Sequence, residues 1–397
     1  MKVGKNILSG PLLGAAFLMA TSAIGPGFLN NTAVYTQKLG AAFGFVILLS
    51  MLIDIGAQRN IWQIVTDSGK PAQDLANERF YGSGHVLAGM VSFGGLVFNI
   101  GNLAGCGLGL QILTGWPPIY GALLSGLLAV LLFIYREAAL QIDRLTKGLG
   151  LLMIGLTAYV AWISKPPLQE VVVQAFWPEV IDWNAVLVLV GGTVGGYISF
   201  AGAHRLLDAG MQGPAHRASV ARSSIQGIVL TTFMRVILFL AAYGVVAGGV
   251  VLDRNNPAAS VFQSAAGSFG YYFFGIVLWC AGITSVIGAS YTSVSFWRTL
   301  SPGVRRYEQY VLAAFILISL AGFIGFGNPT QLLVAAGAVN GVILPLALAI
   351  LLISVSAHSI RRSRWSLILY VLGWVVVVML GWLSVDTIRA AWFRLVA

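Results

Sequence analysis

The chain is poor in charged residues and in cysteine. Only 9% of its 397 residues are Asp, Glu, Lys or Arg, whereas about 25% is usual in a soluble domain. Its two cysteines both lie in apolar segments and are too few for a disulfide framework. Hydrophobic residues make up 58% of the sequence, and no polar stretch is long enough to form a soluble domain. These features exclude an ordinary soluble enzyme and indicate an integral membrane protein.

Apolar stretches close to the roughly 20 residues that span a bilayer recur along the chain. We predict an all-α protein with eleven membrane spans, at residues 10–36, 42–64, 86–112, 117–136, 146–164, 184–203, 224–251, 270–295, 307–327, 331–356 and 365–385. Because these spans leave no room for another domain, residues 1–397 are expected to form one transmembrane domain within the lipid bilayer.

The positive charges indicate the orientation of the chain. Most of the 23 Lys and Arg residues lie in loops and span ends on the same side as the N-terminus. Cytoplasmic loops carry the excess of Lys and Arg in membrane proteins. We therefore expect the N-terminus in the cytoplasm and, after eleven spans, the C-terminus outside. The formal net charge of +10 then reflects topology, and we expect no nucleic-acid partner.

Two glycine clusters interrupt the apolar pattern, Gly25-Pro26-Gly27 in the first span and Gly191–Gly196 in the sixth. Unwound backbone inside a bilayer is tolerated only where it lines a cavity or is buried in protein. Broken helices at matching positions of two halves are typical of the binding site of a secondary transporter. Tight helix packing is the alternative explanation, since the chain has 48 glycines. We predict a transporter that works by alternating access, and not an enzyme.

The longest polar outer connection, residues 165–182, separates five spans from five spans plus one more. An odd number of spans in each half makes the second half run inverted in the membrane. We predict a first inverted repeat at residues 10–164, a second at 184–356 and an additional helix at 365–385. The substrate site is then expected near the membrane midplane, between the first helices of the two halves.

The half-helices that begin at the two breaks present N-terminal amides to this site. We expect them to begin near residues 28–32, with Asn30, Asn31 and Thr32 as caps, and near residues 196–199. Two amide-rich helix ends favour an anion such as a carboxylate. The residues that we predict to bind the substrate are Gly25, Pro26, Gly27, Phe28, Asn31, Gly192, Gly195, Gly196, Tyr197 and Asn340.

Two charged residues lie near mid-depth of predicted spans, Asp54 in the second and Arg235 in the seventh. Ionisable residues inside a membrane are costly and mark functional sites. The two spans are equivalent members of the two halves, so we predict an ion pair with a role in coupling. Three alternatives stay open: unpaired charges that face water, a purely structural pair, and an Arg235 that binds an anionic substrate.

The sequence resembles the Nramp family over most of its length. The resemblance is carried by residues 14–17, 24–28, 40–45, 68–70, 191–194 and 343–348. It implies a LeuT-type fold of five plus five inverted spans in which helices one and six are broken. It also implies a multi-pass protein of a bacterial-type inner membrane that works as a monomer and needs no cofactor.

The resemblance fails at the metal-binding motifs of the family. Nramp transporters hold a divalent transition metal with Asp-Pro-Gly-Asn in helix one and Ala-x-x-Met-Pro-His in helix six. In ungapped register, Gly25 and Phe28 stand for the Asp and Asn of the first motif, and Gly192, Gly195, Gly196 and Tyr197 stand for the Ala, Met, Pro and His of the second. Because divalent ions need several oxygen, nitrogen or sulfur ligands, we predict no metal site.

The lost ligands predict that the fold is kept and the cargo is changed to a small organic solute. The Gly-Pro-Gly-Phe variant resembles a bacterial Nramp-like branch that is commonly linked with 5-oxoproline-metabolising enzymes. That likeness implies an anionic carboxylate or amino-acid derivative such as 5-oxoproline. Transport of a divalent metal, manganese or magnesium, is the alternative function.

The resemblance also concerns the coupling ion, for which sodium and the proton are both open. The acidic proton-carrying residues of family helix three correspond to Asn99 and Asn102, whose amides do not titrate, so either coupling uses another ion or the protein is a facilitator. Asn99 and Asn102 are also among the residues that we predict to bind the substrate. Sodium-coupled relatives of the fold use hydroxyls of span eight, which points to Thr284, Ser285, Ser290, Thr292 or Ser293. Bonds from these hydroxyls to their own helix are the alternative.

Overall fold

The computed structural model describes residues 23–134, 150, 152–355 and 364–396, and these residues form helices with no β-strand among them. The helices are α1 (Pro26–Leu39), α2 (Phe43–Ser68), α3 (Ala72–Arg79), α4 (Ser83–Thr114), α5 (Pro118–Ile134), α6 (Leu152–Ile163), α7 (Leu168–Phe176), α8 (Trp183–Thr193), α9 (Tyr197–Asp208), α10 (Arg217–Ala247), α11 (Pro257–Ser295), α12 (Pro302–Arg306), α13 (Glu308–Phe326), α14 (Pro329–Ser354) and α15 (Arg364–Val396).

The all-helical membrane architecture is confirmed. Within the described ranges, eight helical stretches are long and apolar enough to cross a membrane, and two shorter apolar helices accompany them. One of the eight stretches, Pro26–Ser68, contains parts of the first two predicted spans. Every predicted span lies at least partly on a described helix. Residues 10–22, 135–136, 146–149, 151 and 356 of these spans lie outside the described residues.

Both predicted helix breaks are present. In the first span Ile24 and Gly25 are not helical, and α1 begins at Pro26. Proline suits this position because its fixed φ is helical and a first-turn N–H has no partner within the helix. In the sixth span, Val194 to Gly196 form a turn between α8 and α9. Gly196 has φ +49° and ψ −119°, a backbone conformation open only to glycine.

The predicted caps of the first broken helix are wrong. Because Pro26 starts α1 earlier than expected, Asn30, Asn31 and Thr32 lie inside the helix. The Thr32 hydroxyl donates to the Phe28 carbonyl at 2.8 Å. Asn31 Nδ2 donates to the Leu333 carbonyl at 3.4 Å, so this side chain joins α1 to α14 instead of capping a helix end.

The connection between the two halves contains a helix that the sequence pattern did not predict. α7 lies within residues 165–182 and packs on α2. After it, Asp182 caps α8 by accepting a hydrogen bond from the Ala185 amide at 3.0 Å. The same side chain pairs with Lys38 at 2.5 Å, which ties the end of α1 to the start of α8.

Helix α4 lies at the centre of the bundle, packed against α5, α11, α13 and α14. Small residues make this close packing possible. A Cβ on Gly109 would lie 2.7 Å from the Trp279 amide nitrogen of α11, and a Cβ on Gly105 would collide with Pro26. The middle of α4 is therefore buried on all sides, and α8 is equally enclosed. These contacts place the polar side chains of α4 next to both breaks.

We predict that Gly196→Ala destabilises the protein by about 1–3 kcal/mol, because alanine is strained at this positive φ. A Cβ there would also collide with the Asn340 side-chain oxygen. Thermal unfolding of the purified protein in detergent measures the effect. Gly192→Ala is the matched control, because a Cβ there meets no atom within 4 Å. Equal unfolding temperatures for the two variants would contradict the described turn.

Candidate functional site

Asn102 of α4 lies between the two helix breaks. A Cβ on Gly25 would lie 3.7 Å from Asn102 Oδ1, and the Asn102 amide faces the hydroxyl of Tyr197, the first residue of α9. Asn102 is 2% exposed and Tyr197 1%. Asn102 Nδ2 and the Tyr197 hydroxyl have no hydrogen bond of normal geometry within the protein. Buried polar atoms without partners are thus present where the two breaks meet.

Ser285 of α11 adds a third polar side chain to the first break. Its hydroxyl oxygen would lie 3.0 Å from a Cβ on Gly25, closer than any other atom. The hydroxyl is buried and has no partner. Because Gly25 has no side chain, the polar side chains of α4 and α11 can approach the backbone at the start of α1.

Two further asparagines each use their NH2 group and leave their side-chain oxygen unpaired. Asn340 of α14 donates to the carbonyls of Gly94 at 3.0 Å and Ala336 at 2.9 Å. Asn99 of α4 donates to the Ser290 hydroxyl at 2.8 Å. Both asparagines are fully buried, and both Oδ1 atoms lack a partner. The Asn340 oxygen faces Gly196 at the second break.

This cluster of unpaired atoms is unusual for a protein interior. Each unsatisfied buried polar group costs about 1–3 kcal/mol, and native proteins bury few of them. We define the break site as Gly25, Asn102, Tyr197, Ser285 and Asn340, which come from five helices or their ends. Neutral amide and hydroxyl groups supply its polar chemistry, and these groups both donate and accept hydrogen bonds.

The predicted glycine and proline residues have two different roles. A Cβ on Gly192 would meet open space, although the residue is buried, so this glycine leaves room beside the break. Pro26 packs on Gly105, and a Cβ on Gly27 would lie 3.7 Å from the Leu333 carbonyl. A Cβ on Gly195 would lie 2.9 Å from the Asn340 carbonyl. Pro26 and Gly195 therefore serve helix packing, whereas Gly27 has room for a side-chain carbon in ordinary contact with α14.

A buried arginine contacts the helices on either side of the breaks. Arg235 Nη1 of α10 donates to the hydroxyl of Thr193, the last residue of α8, at 2.9 Å. Its guanidinium carbon lies 4.3 Å from the centre of the Phe28 ring, a cation–π contact. Phe28, which we predicted to bind the substrate, therefore contacts Arg235.

The direct ion pair between Asp54 and Arg235 is absent. The two charges interact electrostatically, and the Thr193 hydroxyl lies within reach of the Asp54 carboxylate as well as of Arg235. Asp54 Oδ1 and Arg235 Nε have no hydrogen-bond partner. The reason for the separation is the position of α8, whose last residue lies between α2 and α10.

Two of the five span-eight hydroxyls, those of Thr284 and Ser290, follow the alternative of bonding to their own helix, whereas the hydroxyls of Ser285 and Ser293 have no partner. Thr284 donates to the carbonyls of Cys280 and Ala281, both at 3.1 Å. Ser290 donates to the Val286 carbonyl at 2.7 Å. Thr292 and Ser293 are buried on the same helix, and Ser293 faces Gly95 of α4. Ser285 is the span-eight hydroxyl that lies at a break.

Thr193 and Phe98 belong to the site and were not predicted. Phe98 of α4 packs edge to face on Tyr197, with ring centres 5.4 Å apart. Thr193 directly precedes the second break, and this position was the available signal.

A cavity of about 400 Å³ lies away from the breaks, between the ends of α2, α10, α14 and α15, and the ion pair of Asp67 and Arg217 at 2.7 Å lies along it.

Within the part of the chain that the structure describes, no three His, Cys, Asp or Glu side chains come together as a metal-binding group. The sequence profile of the natural resistance-associated macrophage protein-like (Nramp) family matches residues 16–389. The chain belongs to the Nramp family. It is a multi-pass membrane transporter and not an enzyme.

Similar sequences include two membrane proteins and a metal transporter. An "Uncharacterized membrane protein" of Haemophilus influenzae is 51% identical over 95% of each chain. The "Uncharacterized membrane protein YcsG" of Bacillus subtilis is 52% identical over 86% of this chain and 85% of that protein. The divalent metal cation transporter MntH of Verminephrobacter eiseniae is 23% identical, over 86% of this chain and 80% of its own.

Solved structures support the same fold. A mutant form of the manganese transporter of Eremococcus coleocola matches with a TM-score of 0.71 at 16% identity, over 98% of this chain and 89% of that chain. MhsT in complex with L-phenylalanine matches with a TM-score of 0.66 at 17% identity, over 94% of this chain and 98% of that chain. The predicted LeuT-type fold with helices one and six broken is thereby confirmed.

We predict that Asn102→Leu leaves the unfolding temperature unchanged or raises it, because it removes a buried amide whose Nδ2 has no partner. Functional sites commonly sacrifice stability in this way. Asn60→Leu is the matched control. Asn60 Nδ2 donates to the Gly56 and Leu369 carbonyls, both at 2.9 Å, so its loss should cost about 1–3 kcal/mol. Equal destabilisation of both variants would show that Asn102 is structural.

Proposed function

We propose that this Nramp-family chain transports a small organic anion, a carboxylate or amino-acid derivative such as 5-oxoproline, by alternating access. The observation that carries this proposal is the break site, where buried amide and hydroxyl groups lack partners. A solute with its own donors and acceptors would satisfy these groups. Binding sites of this kind combine apolar walls with a few well-placed polar groups.

The chemistry of 5-oxoproline fits this set of groups. Its ring amide offers one N–H and one carbonyl, which complement the unpaired Asn340 Oδ1 as acceptor and the unpaired Asn102 Nδ2 and Tyr197 hydroxyl as donors. The helix N-termini at Pro26 and Tyr197 favour negative charge near the breaks, and the Arg235 guanidinium lies beside them, bonded to Thr193 and stacked on Phe28. The Phe98 ring beside Tyr197 provides an apolar wall.

Divalent metal transport is the second candidate, because several similar proteins are named divalent metal cation transporters. At the breaks, however, the positions of the family's metal-ligating side chains hold Gly25, Phe28, Gly195 and Tyr197. Hard and borderline divalent ions are held by carboxylates, imidazoles or thiolates. A neutral set of amides and hydroxyls would bind them weakly, which favours the organic solute.

The remaining expectations about architecture belong to the same proposal. Residues 10–164 and 184–356 form two inverted repeats, with residues 365–385 as an additional helix. The N-terminus faces the cytoplasm of a bacterial-type inner membrane, the C-terminus faces outside, and the protein works as a monomer. Support comes from the distribution of Lys and Arg and from a break in the first helix of each half.

Sodium and the proton are the two candidate coupling ions. For sodium, Ser285 is the best-placed hydroxyl, since it has no partner and lies at the first break. The hydroxyls of Thr284 and Ser290 are bonded to their own helix, so they are less suited to bind sodium. For the proton, the family's acidic positions are replaced by Asn99 and Asn102, and the charged residues Asp54 and Arg235 are the available groups.

We predict that purified wild-type protein binds 5-oxoproline in calorimetry more tightly than it binds manganese or magnesium. Gly25→Val should weaken this binding by at least about tenfold, because even a Cβ at this position lies 3.0 Å from the Ser285 hydroxyl. Gly288→Val on α11 is the matched control, because a Cβ there meets no atom within 4 Å.

Three results would decide against the organic anion. One is micromolar binding of manganese without any binding of 5-oxoproline, which would favour divalent metal transport as the function. Another is an equal loss of binding in Gly25→Val and Gly288→Val, which would show that the break site is not where the substrate binds. The third is tight binding of neutral amides with no binding of carboxylates, which would change the substrate class.

A further inference from the structure

Asp54 and Arg235 are the charged pair that the break site does not use. Asp54 is 1% exposed and Arg235 3%, and both lie in the middle of long membrane helices. Burying charge in a membrane is expensive, so this arrangement needs a reason. A structural pair would be expected to form a direct, fully hydrogen-bonded contact. Here the charges are separated, and Asp54 Oδ1 and Arg235 Nε have no partner.

Arg235 is positioned to reach a solute at the breaks. It bonds to Thr193, which directly precedes the second break, and it stacks on Phe28. Phe28 follows Gly25 by three residues, a rise of about 4.5 Å along a helix. The guanidinium carries five N–H donors, of which Nε is unused. Guanidinium groups bind carboxylates through two parallel hydrogen bonds.

The charge balance determines what must accompany a bound carboxylate. Asp54 and Arg235 together are neutral, and a carboxylate added beside them would leave one uncompensated negative charge inside the membrane. An uncompensated buried charge is removed by protonation, because the neutral form costs far less to bury. Asp54 is the group that can accept the proton, since the guanidinium stays charged and the Thr193 hydroxyl does not titrate.

Few other groups influence Asp54. Helix α10 contributes Arg235 and helix α8 contributes the Thr193 hydroxyl. Helices α1, α3, α7, α9, α14 and α15 also pack on α2. Lys38 of α1 pairs with Asp182 and Glu78 of α3 pairs with Lys70, so these charges are engaged elsewhere. Burial disfavours a charged Asp54 and Arg235 is the counter-charge that opposes this, so engaging Arg235 with another anion favours the protonated form of Asp54.

We infer that Arg235 binds the substrate carboxylate and that Asp54, losing Arg235 as its counter-charge, takes up one proton. The carboxylate of Asp54 becomes a carboxylic acid, the substrate carboxylate pairs with the guanidinium, and no bond to carbon is made or broken. One proton moves with each monoanion, so transport is electroneutral. This inference rests on the proposed function, because it requires an anionic substrate.

The wild-type protein gives the first test. In lightly buffered detergent solution, the protein should take up one proton for each molecule of 5-oxoproline that binds. A pH-sensitive dye would report this uptake as a rise in pH. In proteoliposomes, an inward pH gradient should drive uptake, and a membrane potential alone should not. Uptake driven by sodium without any proton uptake would overturn the inference and leave the proposed function in place.

Two variants locate the proton and the carboxylate. Asp54→Asn imitates protonated Asp54, so it should bind 5-oxoproline, exchange it across the vesicle membrane and produce no pH change. Arg235→Gln should weaken binding by at least about tenfold. Asp253→Asn and Arg254→Gln, two exposed positions next to each other in the loop after α10, are the matched controls and should behave like wild type.

The outcomes separate the inference from the proposed function. If the wild type binds 5-oxoproline and Asp54→Asn still takes up one proton on binding, the inference is wrong and the proposed function stands. If Arg235→Gln binds as wild type does, the carboxylate lies elsewhere and the inference is also wrong. If the wild type binds no carboxylate, both fail. Should Asp54→Asn not fold, the proton count of the wild type still decides.

Discussion

Unwound backbone inside a membrane must find partners within the protein, and this constraint organises the whole structure. The first break needs close neighbours, and α4 provides them with glycines that let Pro26 and α11 approach. The second break depends on Asn340, whose Nδ2 donates to the Gly94 carbonyl and so joins α14 to α4. Because α4 serves both breaks, its middle is buried, rich in glycine and carries the polar residues Asn99 and Asn102.

Similarity to a manganese transporter extends to the fold and stops at the chemistry of the breaks. The Eremococcus coleocola protein shares the architecture at 16% identity, and such a likeness shows the fold alone. At the breaks, glycine and neutral side chains replace every side chain that could hold a transition metal firmly. The same scaffold then presents hydrogen-bond donors and acceptors, which suit an organic solute.

The sequence predicted the spans and both breaks because glycine, proline and apolar runs report backbone behaviour directly. It could not predict where side chains point. Asn31 was predicted to be a cap and instead bonds to Leu333, since Pro26 starts the helix early. Asp54 and Arg235 were placed in the right helices, but Thr193 between them could not be foreseen without the positions of three helices. Ser285 was one of five equal hydroxyls until packing singled it out.

The most direct test of the central claim is a pair of experimental structures, one with 5-oxoproline and one with manganese measured by anomalous scattering. We expect ligand density between Gly25, Asn102 and Tyr197 in the first structure, with the carboxylate toward Arg235. We expect no anomalous peak at the breaks in the second. A manganese peak at Gly25 and Tyr197, with no density for 5-oxoproline, would show instead that the protein carries a metal.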